Sequence, residues 1–251
     1  MSEEKEGSGV QEFIAHLVEL RSRLVRAVAA VFVLFLCLLP FANTLYTWLA
    51  LPLLSKMPAG GHMIATEVTT PFFVPMKVAA LVAFLLALPY VLYQIWGFVA
   101  PGLYAHEKRL ALPLVVTSAL LFYFGMSFAY FAVFPFVFGF ITHTAPIGVE
   151  IMTDIEKYLG FVTNMFLAFG LAFETPVAVV LLVKLGAVTV VQLRAARRYV
   201  IVGAFIVGAI FTPPDAVSQT LLAVPLWLLY EVGILVANRM TTARRPLPDS
   251  E

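Results

Sequence analysis

The chain has 251 residues, of which 61% are hydrophobic and 12% are charged, and its mean hydropathy is +0.95. A water-soluble domain carries about twice that charged fraction, so the composition excludes an ordinary soluble enzyme or binding domain. The apolar residues fall in long blocks, and a block of about 18 or more residues is typical of a transmembrane helix. We therefore expect an all-α integral membrane protein with six transmembrane helices.

The N-terminal segment is polar and precedes the first apolar block. Residues 1–12 are predicted to form a tail. Because the first twenty residues contain no apolar core followed by a small-residue cleavage site, we expect the first block to stay as a membrane anchor. From Phe13 to Leu24, apolar residues recur at helical spacing, and Glu19 lies on the opposite, polar stripe. This pattern predicts an amphipathic helix that leads into the first span.

Six apolar blocks predict six spans within one transmembrane domain over 13–237. The expected spans are 24–41, 71–100, 110–140, 159–183, 199–211 and 221–237. The external segments 42–70 and 141–158 mix prolines and glycines with apolar and aromatic side chains, a combination that favours short interfacial helices. The polar residues 238–251 predict a disordered cytoplasmic tail.

The fifth block is short for a membrane span. Its thirteen residues, Tyr199 to Phe211, reach about 20 Å as a helix, whereas the hydrocarbon core is about 30 Å thick. Such a mismatch is relieved by local thinning of the bilayer or by association with another short helix. We therefore hypothesise that partner subunits assemble on this side of the protein.

Lysines and arginines near the span ends indicate the orientation, because they remain on the cytoplasmic side. With six spans, thirteen of the sixteen lie on the side of the two termini, and only Lys56, Lys77 and Lys157 lie on the other. The sequence therefore predicts a multi-pass protein of the cytoplasmic (inner) membrane with both termini in the cytoplasm.

Two carboxylates, Glu19 and Glu107, stand among many cations at the predicted cytoplasmic margin. Together they could receive a doubly cationic ligand, because a carboxylate accepts the planar fork of a guanidinium in bidentate geometry. Two other interpretations remain open. The carboxylates could pair locally, Glu19 with Arg23 at i, i+4 and Glu107 with its cationic neighbours, which is a common role of surface acids. With His16 and His106 they could instead hold a metal, although nothing in the sequence fixes the two pieces together.

Glu174 lies inside the predicted fourth span, far from either end. Pro176 follows it, removes a backbone donor and is expected to kink the helix. An ionisable side chain at this depth is costly and points to function. The residue could be a polar station for a substrate or a partner helix, the proton site of a proton-coupled secondary transporter, or a protonated carboxyl hydrogen-bonded inside the bundle.

Thr212, Asp215 and Gln219 lie where the predicted fifth and sixth spans meet on the external side. Asp215 precedes the sixth helix and is typical of a helix cap. Thr212 and Gln219 are also consistent with polar contacts to a partner's transmembrane helix. The sequence contains no phosphate-binding loop, nucleophile elbow or zinc-protease signature, and Cys37 is its only cysteine. We therefore expect neither enzymatic activity nor a metal or cofactor.

An ordered set of motifs between residues 14 and 237 resembles the TatC family, the core subunit of the twin-arginine protein translocase. The matching stretches are 16–21 (HLVELR), 71–73 (PFF), 92–104 (LYQIWGFVAPGLY), 106–109 (HEKR), 121–126 (LFYFGM), 134–135 (FP), 173–176 (FETP) and 211–215 (FTPPD). No single stretch is decisive, but their order and spacing together are specific.

The resemblance implies a concave, glove-like bundle with short fifth and sixth helices. It implies a receptor for the twin-arginine motif in signal peptides and the core of a translocase that exports folded proteins, driven by the proton motive force. The implied partners are TatA-like and TatB-like single-span subunits, membrane lipid and further copies of the chain. The residues that match the family's signal-peptide site are Glu19, Glu107, Arg21, Gln94 and Phe98. The family's intramembrane glutamate matches Glu174, its external turn acid matches Asp215, and its partner contacts match Thr212 and Gln219.

Overall fold

The computed structural model describes the backbone over 3–55, 63–99, 111–144, 152–212 and 216–242, and side chains over 14–55, 63–98, 112–140, 152–212 and 216–240. Every named element in these ranges is a helix, which confirms the expected all-α class. The helices are α1 (Glu3–Leu38), α2 (Ala42–Leu54), α3 (Thr70–Val99), α4 (Ala111–Phe128), α5 (Phe134–Thr144), α6 (Ile155–Phe173), α7 (Thr175–Lys184), α8 (Val190–Phe211) and α9 (Ala216–Thr242).

Two of the predicted spans are interrupted helices. A π-helical turn, Ala129–Val133, joins α4 to α5. The single residue Glu174 separates α6 from α7, and Pro176 occupies the first turn of α7. The predicted third and fourth spans therefore each contain a local departure from regular α-helix.

Five stretches of the described chain are long and apolar enough to cross a membrane. They are Ile14–Leu54, Thr70–Phe98, Leu112–Phe140, Ile155–Lys184 and Ala216–Met240. Helix α8 is not among them, because its first half contains Arg194, Arg197 and Arg198, and the apolar run that follows is too short. The predicted fifth span is thus a helix whose apolar part is short.

Helices α8 and α9 are nevertheless longer than the apolar blocks that predicted them. Helix α8 begins at Val190 rather than near Tyr199, because Thr189 and Gln192 form a capping box. The Gln192 side chain accepts the Thr189 N–H at 2.8 Å, and the Thr189 hydroxyl accepts the Gln192 N–H at 3.2 Å. Helix α9 continues through polar residues to Thr242, past the predicted end at 237. With 22 and 27 residues, the two helices are short only in the apolar part of α8.

The chain divides into two compact units, residues 1–47 with 72–119 and residues 48–71 with 120–251. In the first unit, α1 contacts the end of α3 where the rings of His16 and Phe98 stack, with centroids 4.2 Å apart. Trp96 ties α3 to α4, because its indole N–H donates to the buried hydroxyl of Ser118 at 3.1 Å.

In the second unit, α4 and α5 pack on α6 through aromatic rings. The ring pairs are Phe124–Phe173, Phe128–Phe169, Phe128–Phe173, Phe134–Phe161, Phe134–Phe166 and Phe138–Phe161. Two glycines allow this close approach. A Cβ on Gly125 would lie 2.5 Å from the carbonyl oxygen of Phe169, and a Cβ on Gly170 would overlap the ring of Phe122. Small residues at a membrane helix interface bring backbones together in this way.

Two tyrosines attach α2 to the rest of the second unit. The hydroxyl of Tyr158 donates to the carbonyl of Leu49 at 2.6 Å, and that of Tyr130 donates to the carbonyl of Trp48 at 2.9 Å. The Trp48 carbonyl has no helical donor, because the residue four positions further on is Pro52, which has no N–H. The Tyr130 hydroxyl therefore supplies the bond that the proline removes.

Asp154 fastens the segment before α3 to the start of α6. Its carboxylate accepts the N–H and the hydroxyl of Thr66 at 3.0 and 2.7 Å, and it also caps α6 by accepting the N–H groups of Glu156 and Lys157. The hydrogen bond from the Thr66 hydroxyl lowers the pKa of Asp154 most. Together these hydrogen bonds hold that pKa at about 2, below its usual 3.8. Backbone bonds between Ile64 and the residues beside Asp154 complete the junction.

Candidate functional site

The predicted receptor site begins on α1, where Glu19 and Arg23 form an ion pair. Arg23 Nε donates to Glu19 Oε1 at 2.8 Å, and Arg23 Nη2 lies 2.7 Å from the same oxygen. The local pairing expected from the i, i+4 spacing is therefore present. Because both contacts use Oε1, Glu19 Oε2 accepts no hydrogen bond from the described residues. The Glu19 side chain is 40% exposed, so a ligand from solution can reach it.

Helix α3 adds an aromatic ring and an amide to this region. Phe98 stacks on His16 with an angle of 17° between the rings. One turn earlier on the same face of α3, Gln94 is only 4% exposed. Its Oε1 has no hydrogen-bond partner among the described residues. A buried amide oxygen without a donor is unfavourable, so this atom is suited to accept a hydrogen bond from a ligand.

Gly97 holds the Arg23 side chain against α3. A Cβ on Gly97 would overlap Arg23 Nη1, so the guanidinium lies directly on the glycine backbone. Arg23 is accordingly only 23% exposed, whereas the nearby Arg21 is exposed. The structure thus places Glu19 on α1, and Gln94 and Phe98 on α3, at a junction of these two helices within the first unit.

Two of the predicted site residues, Glu107 and Asp215, lie outside the described residues, as does His106. The structure therefore places one member of the predicted carboxylate pair and not the other. In the described part of the chain, no three side chains of His, Cys, Asp or Glu form a group that could hold a metal ion.

Glu174 lies at the break between α6 and α7. Its backbone has φ −74° and ψ −13°, and its N–H donates to the carbonyl of Leu171 at 3.1 Å. Pro176 accounts for the break, because it cannot donate to the carbonyl of Ala172 four residues earlier. Both carboxyl oxygens of Glu174 are buried. The interruption therefore sets a buried ionisable group within an apolar stretch of 30 residues.

Thr212 and Gln219 take part in contacts within the α8–α9 hairpin. The buried hydroxyl of Thr212 donates to the carbonyl of Gly208 at 2.8 Å. Gln219 Nε2 donates to the carbonyl of Phe205 at 2.8 Å, and a Cβ on Gly208 would lie 2.9 Å from Gln219 Cγ. The hairpin is therefore closely packed here, and these two donors already serve the chain itself.

The polar contacts at the other end of this hairpin were not predicted from the sequence. Arg197 Nη2 lies 2.7 Å from Glu231 Oε2, and the Tyr230 hydroxyl donates to the carbonyl of Leu193 at 2.8 Å. No role for Glu231 is predicted from the sequence. Arg197 lies about four helical turns before the connection between α8 and α9, and Glu231 lies about four turns after it. Opposite charges at equal distances from the connection would have indicated the pair.

The family described as "Sec-independent protein translocase protein (TatC)" matches residues 15–225. The chain is 54% identical to the protein of that name from Azotobacter chroococcum mcd 1 over 233 residues, which are 93% of this chain and 91% of the relative. It is also 54% identical to that of Escherichia coli (strain K12) over 228 residues, which are 91% and 88% of the two chains.

A solved crystal structure, described as that of the twin arginine translocase receptor TatC, is also similar. It has 38% sequence identity and a TM-score of 0.80, and the match covers 90% of this chain and 99% of that chain.

Proposed function

Because the chain belongs to the TatC family, we propose that it is the receptor and core subunit of a twin-arginine translocase. It binds the twin-arginine motif of signal peptides and exports folded proteins across the cytoplasmic membrane, driven by the proton motive force. Proteins of this family are components of a protein translocase and not enzymes. The proposal therefore concerns recognition and transport, without a catalytic step.

The observation that carries the proposal is the exposed Glu19 carboxylate at the junction of α1 and α3. Oε2 accepts no bond from the described residues and can receive one guanidinium of the peptide. Phe98 offers an apolar ring on which a guanidinium stacks, and Gln94 Oε1 offers a buried acceptor. Glu107, eight residues beyond α3, binds the second guanidinium, and the exposed Arg21 completes the site.

The remaining candidate residues serve transport and assembly. Glu174 is a polar station within the membrane for cargo or for a partner helix. Thr212, Asp215 and Gln219 form the docking region for TatA-like and TatB-like single-span subunits. The short apolar part of α8 supports this location, because a helix too short for the bilayer favours association. Further copies of the chain join the same complex.

The proposed orientation has both termini in the cytoplasm. It rests on the thirteen cations assigned to that side against three on the other. It also places the α1–α3 junction on the side of the membrane where newly folded cargo is found.

The test is export of a folded reporter that carries a twin-arginine signal peptide. Glu19→Ala and Glu107→Ala should each abolish export while the protein still inserts, because a guanidinium then loses its carboxylate. Glu67→Ala, which removes an exposed carboxylate from the segment before α3, is the matched control and should export normally. Photocrosslinking from a photoreactive residue in the signal peptide to the chain measures binding directly in the unmodified protein and in both glutamate variants.

Normal crosslinking of the peptide in both glutamate variants would refute the proposed site. Small-solute uptake by proteoliposomes that contain this chain alone would favour the transporter with Glu174 as proton site. Cysteine labelling that places residues 19 and 107 on opposite sides of the membrane would refute the topology.

A further inference from the structure

We infer that Arg23 is an internal ligand of Glu19, with which the guanidinium of a signal peptide must compete, and that Arg23 thereby sets the affinity threshold of the site. The inference rests on the proposed function. It gives Arg23 an effect opposite to that of the residues around it, because Arg23 weakens peptide binding.

The group that pairs with Glu19 in this structure is a guanidinium, the same chemical group that the proposed ligand carries. Arg23 offers Glu19 a guanidinium at 2.7–2.8 Å, which is the geometry of a strong charge-assisted hydrogen bond. Its positive charge also repels a second guanidinium that approaches the same carboxylate. A peptide arginine must therefore either displace Arg23 or share Glu19 with it, and both are unfavourable.

Arg23 is held in this position by more than the ion pair. Its guanidinium lies on the backbone of Gly97, where any larger residue would overlap it. Arg26, one turn further along α1, provides a contrast. It is exposed and donates to Ser22 at 2.8 Å, so it bears the same charge without occupying a carboxylate.

The size of the effect follows from the exposure of the pair. The Glu19 side chain is 40% exposed and the Arg23 side chain is 23% exposed. The free energy of an ion pair with this exposure changes an equilibrium constant by at most about a factor of five. Displacement requires the same free energy whichever peptide binds. Arg23 therefore lowers every affinity by a similar factor and leaves the preference for arginine over lysine unchanged. The affinity of a ligand with one cation then becomes too low for the site to retain it, whereas a ligand with two cations still binds.

The experiment measures binding of a fluorescent peptide to the full chain in lipid nanodiscs at 150 mM salt. The peptide carries two adjacent arginines followed by an apolar segment, and a second peptide carries two lysines. Arg23→Gln should tighten binding of both peptides about fivefold. Gly97→Ala, which displaces the Arg23 guanidinium but keeps its charge, should tighten binding in the same direction.

Arg26→Gln is the matched control for net charge and should stay within about twofold of the unmodified chain. Equal or weaker binding by Arg23→Gln overturns the inference, as does an equal gain in Arg26→Gln. Size-exclusion profiles establish that each variant is folded, and Arg23→Lys, which can still pair with Glu19, should bind like the unmodified chain.

The result also separates this inference from the proposed function. If the unmodified chain does not bind the twin-arginine peptide, or if Glu19→Gln binds it equally well, the proposed function fails. If binding depends on Glu19 but not on Arg23, only the inference fails.

Discussion

Gly125 is a position where the packing of α4 against the backbone of α6 leaves no room for a side chain. A Cβ there would lie 2.5 Å from the carbonyl oxygen of Phe169 and 2.9 Å from the ring of Phe173. The nearer atom belongs to the backbone of α6, so it cannot turn away as the end of a side chain could. We expect Gly125→Ala to push the two helices apart.

The magnitude combines two opposing contributions. Overpacking of an interior costs about 1–3 kcal/mol. Alanine is preferred over glycine in a helix by about 0.5–1 kcal/mol, which offsets part of this cost. The net loss of about 0.5–2 kcal/mol corresponds to a fall in Tm of about 1–8 °C for a chain of this length.

The assay is thermal unfolding of the solubilised protein, followed by the fluorescence of its three tryptophans. Gly160→Ala is the matched control, because Gly160 lies on α6 and a Cβ there would contact nothing within 4 Å. Its Tm should stay the same or rise slightly. If Gly125→Ala melts at or above the temperature of Gly160→Ala, the close approach of α4 to α6 is refuted.

Two further predictions concern the segments attached to α6 and α2. Lowering the pH from 4 to 2 should protonate Asp154, whose pKa is held at about 2, so the stability that it adds is present above about pH 4 and is lost towards pH 2. The protection factor of the Thr66 amide against hydrogen exchange, which is the intrinsic rate divided by the observed rate at the same pH, should then fall. It should not change between pH 7 and 5, and it should be low throughout in Asp154→Ala. Tyr130→Phe should destabilise the protein by about 0.5–1.5 kcal/mol, because the Trp48 carbonyl loses its donor. The loss should shrink when Pro52→Ala restores a backbone N–H, and equal losses in both backgrounds would contradict this explanation.

The positions of the helices were largely predictable, because a membrane span consists of a long apolar block in the sequence. The start of α8 was not predicted, since its first nine residues mix apolar side chains with Gln192 and three arginines, and the continuous apolar run begins only after them. The spacing of Thr189 and Gln192 contains the capping box that would have located it. Hydropathy alone is blind to such a start, because helix hydrogen bonds form equally well in polar and apolar stretches.

The candidate site was predictable in its residue types and less so in its contacts. The i, i+4 spacing correctly predicted that Glu19 pairs with Arg23. Nothing in the sequence indicated that the same guanidinium rests on Gly97, because that contact joins residues 74 positions apart and depends on how α1 meets α3. The bond from Tyr130 to Trp48 was hidden for the same reason.

The π-helical turn at Ala129–Val133 has a consequence for chain length in the third span. It accommodates one more residue than a regular turn, and each residue of an α-helix advances the facing direction by about 100°. Because the turn already accommodates the extra residue, losing one residue here would leave a regular helical turn, and the buried Phe134 and Phe138 would still face α6. A deletion elsewhere in the span would have no such turn to absorb it and would rotate both aromatic side chains from α6 towards lipid, so the third span tolerates the loss of one residue best at this point.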